Sequence, residues 1–165
     1  MTDATPTGVD PVPPDLQQAL TEGYEAWRGK LYEEARGKLE AALSEAQAAG
    51  SLFGVLQAKH HLGNVMFNLR EDAASRRLHA EVLAEGVKPG LEWCIATSLG
   101  NIANVDVVEG RLDDARAHYD AAIAAYEAAG QAPMAAQVKA TRAYIDRLVA
   151  EGRLGEAFKH LRVPG

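Results

Sequence analysis

The sequence predicts an all-α domain of about four antiparallel helix pairs, and three observations carry that expectation. From Asp15 onward the chain is rich in Ala, Leu, Glu, Gln and Arg, which lose little side-chain freedom in a helix. Runs of β-branched residues alternating with period two are absent. The strings EGRLDDARAHY (Glu109 to Tyr119) and EGRLGEAFKHL (Glu151 to Leu161) share Glu-Gly-Arg-Leu and, further on, Ala and His. Looser copies, GKLYEEARGKLEAAL and REDAASRRLHAEVL, place Ala35, Ser75, Ala115 and Ala157 40, 40 and 42 residues apart. A period of that length accommodates one helix pair and its turns, so the pairs should stack side by side.

Four of the seven prolines (Pro6, Pro11, Pro13, Pro14) fall in residues 1–14, which read as a mobile, proline-rich tail. Asp15 followed by Gln18 has the spacing of a capping box and opens the first helix, near 15–29. A second helix, near 32–49, stops at Gly50. The next two, near 52–69 and 72–85, stop at Gly86 with Pro89-Gly90 beyond. Those near 91–108 and 112–129 stop at Gly130, with Pro133 opening the seventh, near 133–151; an eighth runs near 154–162. The glycines stand where a helix needs a left-handed exit and the prolines where a fixed φ suits a helix start. Repeats of about 15–50, 51–90, 91–130 and 131–162 follow. Glu33, Glu34, Asp113 and Asp114 open second helices, where the positive end of the helix dipole favours them.

Composition excludes several classes of function. Lys and Arg number 17 against 23 Asp and Glu, a net charge of −6, which disfavours nucleic acid as a partner because phosphate binding rests on basic side chains. A single cysteine, Cys94, permits neither an intramolecular disulfide nor a cysteine-rich zinc site, and fits a reducing, cytoplasmic setting. No stretch has the roughly 18 apolar residues of a membrane span, and the start lacks the basic and apolar regions of a signal peptide. The adjacent pair His60-His61 points about 100° apart on a helix and does not converge on one ion. Cys94 has no glycine-rich nucleophile turn or nearby base, so neither catalysis nor a cofactor is expected.

The repeated residues resemble the tetratricopeptide repeat family, in a variant with a period near 40. The small residue of each second helix (Ala35, Ser75, Ala115, Ala157) is the family's close-approach position. Twelve residues upstream, Leu62-Gly63-Asn64 matches the family's Leu-Gly pattern; Gly23 matches after Glu22, and Ile102-Ala103 and Tyr144-Ile145 match more loosely. Tyr32, Leu112 and Leu154 supply the apolar residue three before the small one, and Asp72 departs from it. Leu39, Tyr119 and Leu161 follow four after it, with His79 the exception. Leu99-Gly100-Asn101 offers a second phase one turn earlier. The later phase keeps the 40-residue spacing but puts Asp106 where a packing residue is expected, and a buried carboxylate without partners is expensive.

The resemblance implies a right-handed superhelix whose first helices line a concave peptide-binding groove. Carried over in phase, its inner positions are Tyr24, Trp27, Arg28, Gln57, His60, Asn64, Phe67, Asn68, Thr97, Asn101, Asn104, Lys139, Arg142 and Asp146. Core packing is the favoured reading of Trp27 and Phe67, since aromatics at helical spacing are more often core. Some members grip a terminal carboxylate with Lys and Asn, a second Asn, then Lys and Arg. The corresponding residues here are His60 and Asn64, Asn104, and Lys139, with Ala143 in the Arg position and Arg142 beside it. The expected role is a non-catalytic adaptor with a protein or peptide partner. The alternative is a structural self-association module whose groove is filled by a neighbour's helix or by its own tail. A solenoid needs its last apolar face covered, so part of the face built by Tyr144, Leu148, Phe158 and Leu161 is expected to lack an intrachain neighbour and to mediate homodimerisation, or docking to a partner, through the last repeat.

Overall fold

The computed structural model describes residues 11–86 and 91–162, and among them there are eight α-helices and no strands. They are α1 (Pro14–Arg28), α2 (Tyr32–Ala48), α3 (Leu52–Asn68), α4 (Asp72–Glu85), α5 (Glu92–Val108), α6 (Leu112–Ala128), α7 (Ala132–Ala150) and α8 (Leu154–Leu161). Each helix packs on the next, and α1, α3 and α5 also touch in sequence, as expected of a helical repeat. Residues 1–10, most of the proline-rich tail, lie outside the described residues, as do Pro89-Gly90 and Val163-Pro164-Gly165. Val12, partly buried, packs against the core at the α1 end.

Helix starts follow local chemistry only in part. Pro14 occupies the first turn of α1, where its missing N–H leaves nothing unsatisfied. The capping box does not form: no side chain caps α1, and Gln18 Nε2 donates instead to Glu22 Oε1 one turn on (3.0 Å). Ser51 does cap α3, its Oγ accepting from Gly54 N at 3.2 Å. Six of the eight described helix ends obey one rule. Lys30, Gly50, Arg70, Gly110, Gly130 and Gly152 all have φ between 64 and 75°. The next residue's N–H reaches back to Ala26, Ala46, Met66, Asp106, Tyr126 or Leu148 O, the Schellman closure. Gly86 is different: its φ is −77°, and a Cβ there would stand 2.5 Å from Cys94 Cβ. Its role is the close approach of α4 to α5, not a left-handed exit.

The small positions allow the pairs to pack tightly. Ala35, Ser75, Ala115 and Ala157 are all buried. Across each pair, a Cβ on Gly23 would strike Leu39 and one on Gly63 would strike His79, so these backbones approach as closely as a missing side chain permits. In the third pair Ala103 is buried in one cluster with Tyr119, whereas Gly100 has open space at its missing Cβ. The later of the two sequence phases is therefore the structural one.

The C-terminal end departs from a simple stack. Besides packing on α7, α8 touches α5, so α5, α6, α7 and α8 form a closed circuit of neighbours. Leu148 is 1% exposed, and Tyr144, Phe158 and Leu161 are partly buried in the same cluster as Val107, Tyr119 and Ile145. Of the face expected to lack an intrachain neighbour, Leu148 is thus buried and Tyr144, Phe158 and Leu161 are half-buried, because α8 folds back onto α5 and α7.

Candidate functional site

Two adjoining hollows, of about 400 and 480 Å³, open between the first helices of successive pairs and share Tyr24, Trp27, Asn64, Asn101 and Asn104. Helix periodicity brings these together: Asn64 and Asn104 are 40 apart, as are Tyr24 and Asn64. Arg28, Phe67 and Asn68 line the first hollow with Lys30, Tyr32 and Leu161; His60 and Thr97 line the second with His61 and Tyr119. Ten of the fourteen sequence-derived groove residues thus face this space. Gln57, Lys139, Arg142 and Asp146 do not line it.

The reason three of those four miss is a phase change inside α7. That helix has 19 residues where α3, α5 and α6 have 17. A 42-residue period carried Thr97 onto Lys139, but the two extra residues lie toward the C-terminal end, so the first half of α7 keeps the 40-residue period. Thr97 and Asn101 then correspond to Gln137 and Thr141, which do line the second hollow, together with Met134 and Val138. Lys139 Nζ instead lies 2.5 Å from Glu127 Oε1, and Arg142 pairs with Asp120. Without Lys139 the carboxylate grip lacks its third point.

Side-chain chemistry makes the hollow a polar and aromatic surface. The Trp27 indole donates to Asn68 Oδ1 (2.9 Å), which fixes that amide's orientation because an indole N–H can only donate. Tyr119 Oη donates to Asn104 Oδ1 (2.6 Å), so Asn104 offers a ligand its NH₂ group. Burial raises the Tyr119 pKa far above the phenol range, keeping that donor protonated. Tyr24 stacks at 5.7 Å from Trp27 and 5.1 Å from His61, with the Arg28 guanidinium 5.9 Å from its ring. Among the described residues no carboxylate lines either hollow, although the chain is acidic overall. Burial, then the neighbouring His61 and His79, hold His60 well below the usual imidazole pKa of 6.5, so at pH 7 it adds no charge.

Sequence reading missed the ties between pairs. Arg36, Arg76 and Arg116, 40 residues apart, each reach 30 residues ahead. Arg36 Nη2 meets Met66 Sδ (3.5 Å) and pairs with Glu71; Arg76 Nη2 donates to Asp106 Oδ1 (2.5 Å); Arg116 Nε donates to Asp146 Oδ1 (2.8 Å). Asp106 is therefore buried but far from unpaired: Arg111 Nη2 (3.0 Å) and His118 Nδ1 (2.7 Å) complete its shell. The signal was an arginine immediately after three of the four small positions.

Other reactive groups are enclosed. Cys94 is fully buried, and burial pushes its thiol pKa up to about 12, leaving it a thiol. Among the described residues no three His, Cys, Asp or Glu side chains come together as a metal ion would need, and no helix is long and apolar enough to cross a membrane. Comparison of the chain with protein-family models, curated proteins and solved structures gives no match.

Proposed function

We propose that the chain is a non-catalytic adaptor, a right-handed tetratricopeptide-like stack whose hollow holds an extended segment of a protein partner. The observation that carries this reading is the row of Asn64, Asn101 and Asn104 beside Tyr24 and Trp27, in a space lined by no carboxylate of the described residues. An amide side chain both donates and accepts, so it matches the repeating C=O and N–H groups of an extended backbone, while flat aromatic rings take the intervening side chains. Asn104, with its oxygen held by Tyr119, presents a preset donor to a ligand carbonyl. The terminal-carboxylate version is not retained, because Lys139 is tied to Glu127 and His60 is neutral.

Affinity capture from native lysate with the wild-type chain beside an Asn64→Ala/Asn104→Ala variant tests this. Partners retained by the wild type and lost from the variant, with circular dichroism unchanged, are the expected result. An identical set of captured proteins, or none on either, rejects the groove.

A further inference from the structure

The tip of α8 lies inside the space assigned to the partner. Leu161 lines the first hollow, and the next residue, Arg162, sets its guanidinium carbon 4.7 Å above the centre of the Phe67 ring while pairing with Asp72, 90 residues away. The Arg162 side chain is only 14% exposed. Phe67 belongs to the lining of the same hollow, and Asp72 opens the following helix. An aromatic face below a guanidinium and a carboxylate beside it form a two-part receptor for a planar cation, since the ring quadrupole and the anion favour the same charge. None of the described residues that line the hollow is acidic, and Asp72 supplies the negative charge beside Arg162. The segment carrying Arg162 is short: α8 has eight residues and joins α7 through Gly152 in the left-handed region.

We infer that Phe67 and Asp72 form a guanidinium subsite at one end of the hollow, filled in cis by Arg162. A partner segment presenting an apolar residue followed by arginine takes it in trans by displacing the tip of α8. This rests on the peptide-groove reading and adds to it the chemistry of one ligand position and a built-in competitor. Because that competitor is covalently attached, it acts at a high effective concentration, and weakening its grip raises the apparent affinity for any trans ligand of the same subsite.

The test uses the full chain and a synthetic peptide of residues 154–162, acetylated, amidated and fluorescently labelled, followed by anisotropy. Arg162→Ala is expected to bind this peptide at least about tenfold more tightly than wild type, with Arg162→Lys between them. Adding Asp72→Asn to Arg162→Ala should remove the gain. Hydrogen exchange gives a reading without ligand: α8 amides exchange faster in Arg162→Ala, while those of α1 to α4 are unchanged. Equal affinity of wild type and Arg162→Ala, absence of binding by both, or indifference to Asp72→Asn would each overturn the subsite. Binding that depends on Asp72 but ignores Asn64→Ala/Asn104→Ala upholds the subsite and removes the groove reading instead.

Discussion

His79 is the residue most at odds with its surroundings. It occupies the position that Leu39, Tyr119 and Leu161 fill in the other pairs, is fully buried, and among the described residues neither ring nitrogen has a hydrogen-bond partner. Burial, then the neighbouring His61, lowers its pKa from 6.5 to about 3. A histidine whose folded pKa is depressed binds its proton better when unfolded. The resulting stability is complete above about pH 6.5 and is lost as pH falls toward 3, at up to about 1.4 kcal/mol per pH unit for one proton. His60, 5.6 Å from His79 and shifted the same way, adds to that slope. His79→Leu is expected to raise stability at pH 7 by about 1–3 kcal/mol, because an unpaired buried polar ring gives way to the side chain the other pairs use. It should also flatten the acid limb of urea-denaturation midpoints plotted between pH 7 and 4; an unaltered limb would assign the acid sensitivity elsewhere. A second residue-scale prediction concerns the turns. Lys30 and Arg70 hold a left-handed conformation that glycine supplies at Gly50, Gly110, Gly130 and Gly152. Lys30→Gly and Arg70→Gly should each stabilise by up to about 1 kcal/mol in thermal or urea melts, and Gly50→Ala should cost a similar amount.

At the scale of elements, the arginine after the small residue sets how one pair meets the next. Asp106 receives Arg76 from the preceding pair and Arg111 and His118 from its own, so its carboxylate joins three helices' worth of chain at one buried point. Removing it leaves Arg76, 29% exposed, without its buried acceptor, and Asp106→Ala is expected to cost about 3–5 kcal/mol by urea denaturation. Arg76→Met should cost much less, because Arg111 and His118 remain as donors on Asp106. A reversed order would mean the acid is tolerated rather than required. The helix pairs were legible because glycine, alanine and the 40-residue period act locally and repeat. The buried acid was legible only as an anomaly at a packing position, since its partners come from residues 5, 12 and 30 away. The groove face of α7 was misplaced because a two-residue lengthening within one helix shifts the phase partway along it, and a repeat spacing measured between distant landmarks averages over that shift. The α1 cap failed for a different reason: Gln18 found a partner one turn ahead, an i to i+4 contact that competes with reaching back.

At the scale of the whole molecule, the unexpected feature is that the last described helix folds back onto α5 as well as α7. A repeat stack leaves its final apolar face bare unless something polar outside and apolar inside lies on it. Helix α8 does this while only eight residues long, with buried Ala157 and partly buried Phe158 and Leu161 turned to the cluster and Glu156, Lys159 and His160 exposed. The apolar cluster it packs on includes Val107, Ile145 and Leu148, and exposing it should favour association. Placing a charge in that cover, as in Phe158→Glu, would set a carboxylate against the apolar cluster, so α8 is expected to lift away rather than the stack to unfold. Light scattering after size exclusion at tens of micromolar should then give wild type near 17.6 kDa and Phe158→Glu at twice that mass or more, with helicity reduced by no more than the turns of α8. A double variant, Phe158→Glu/Leu148→Glu, should return toward monomer by making the uncovered face itself polar. If wild type already ran as a dimer, α8 would not be sealing the end, and the self-association module would become the better account of the fold.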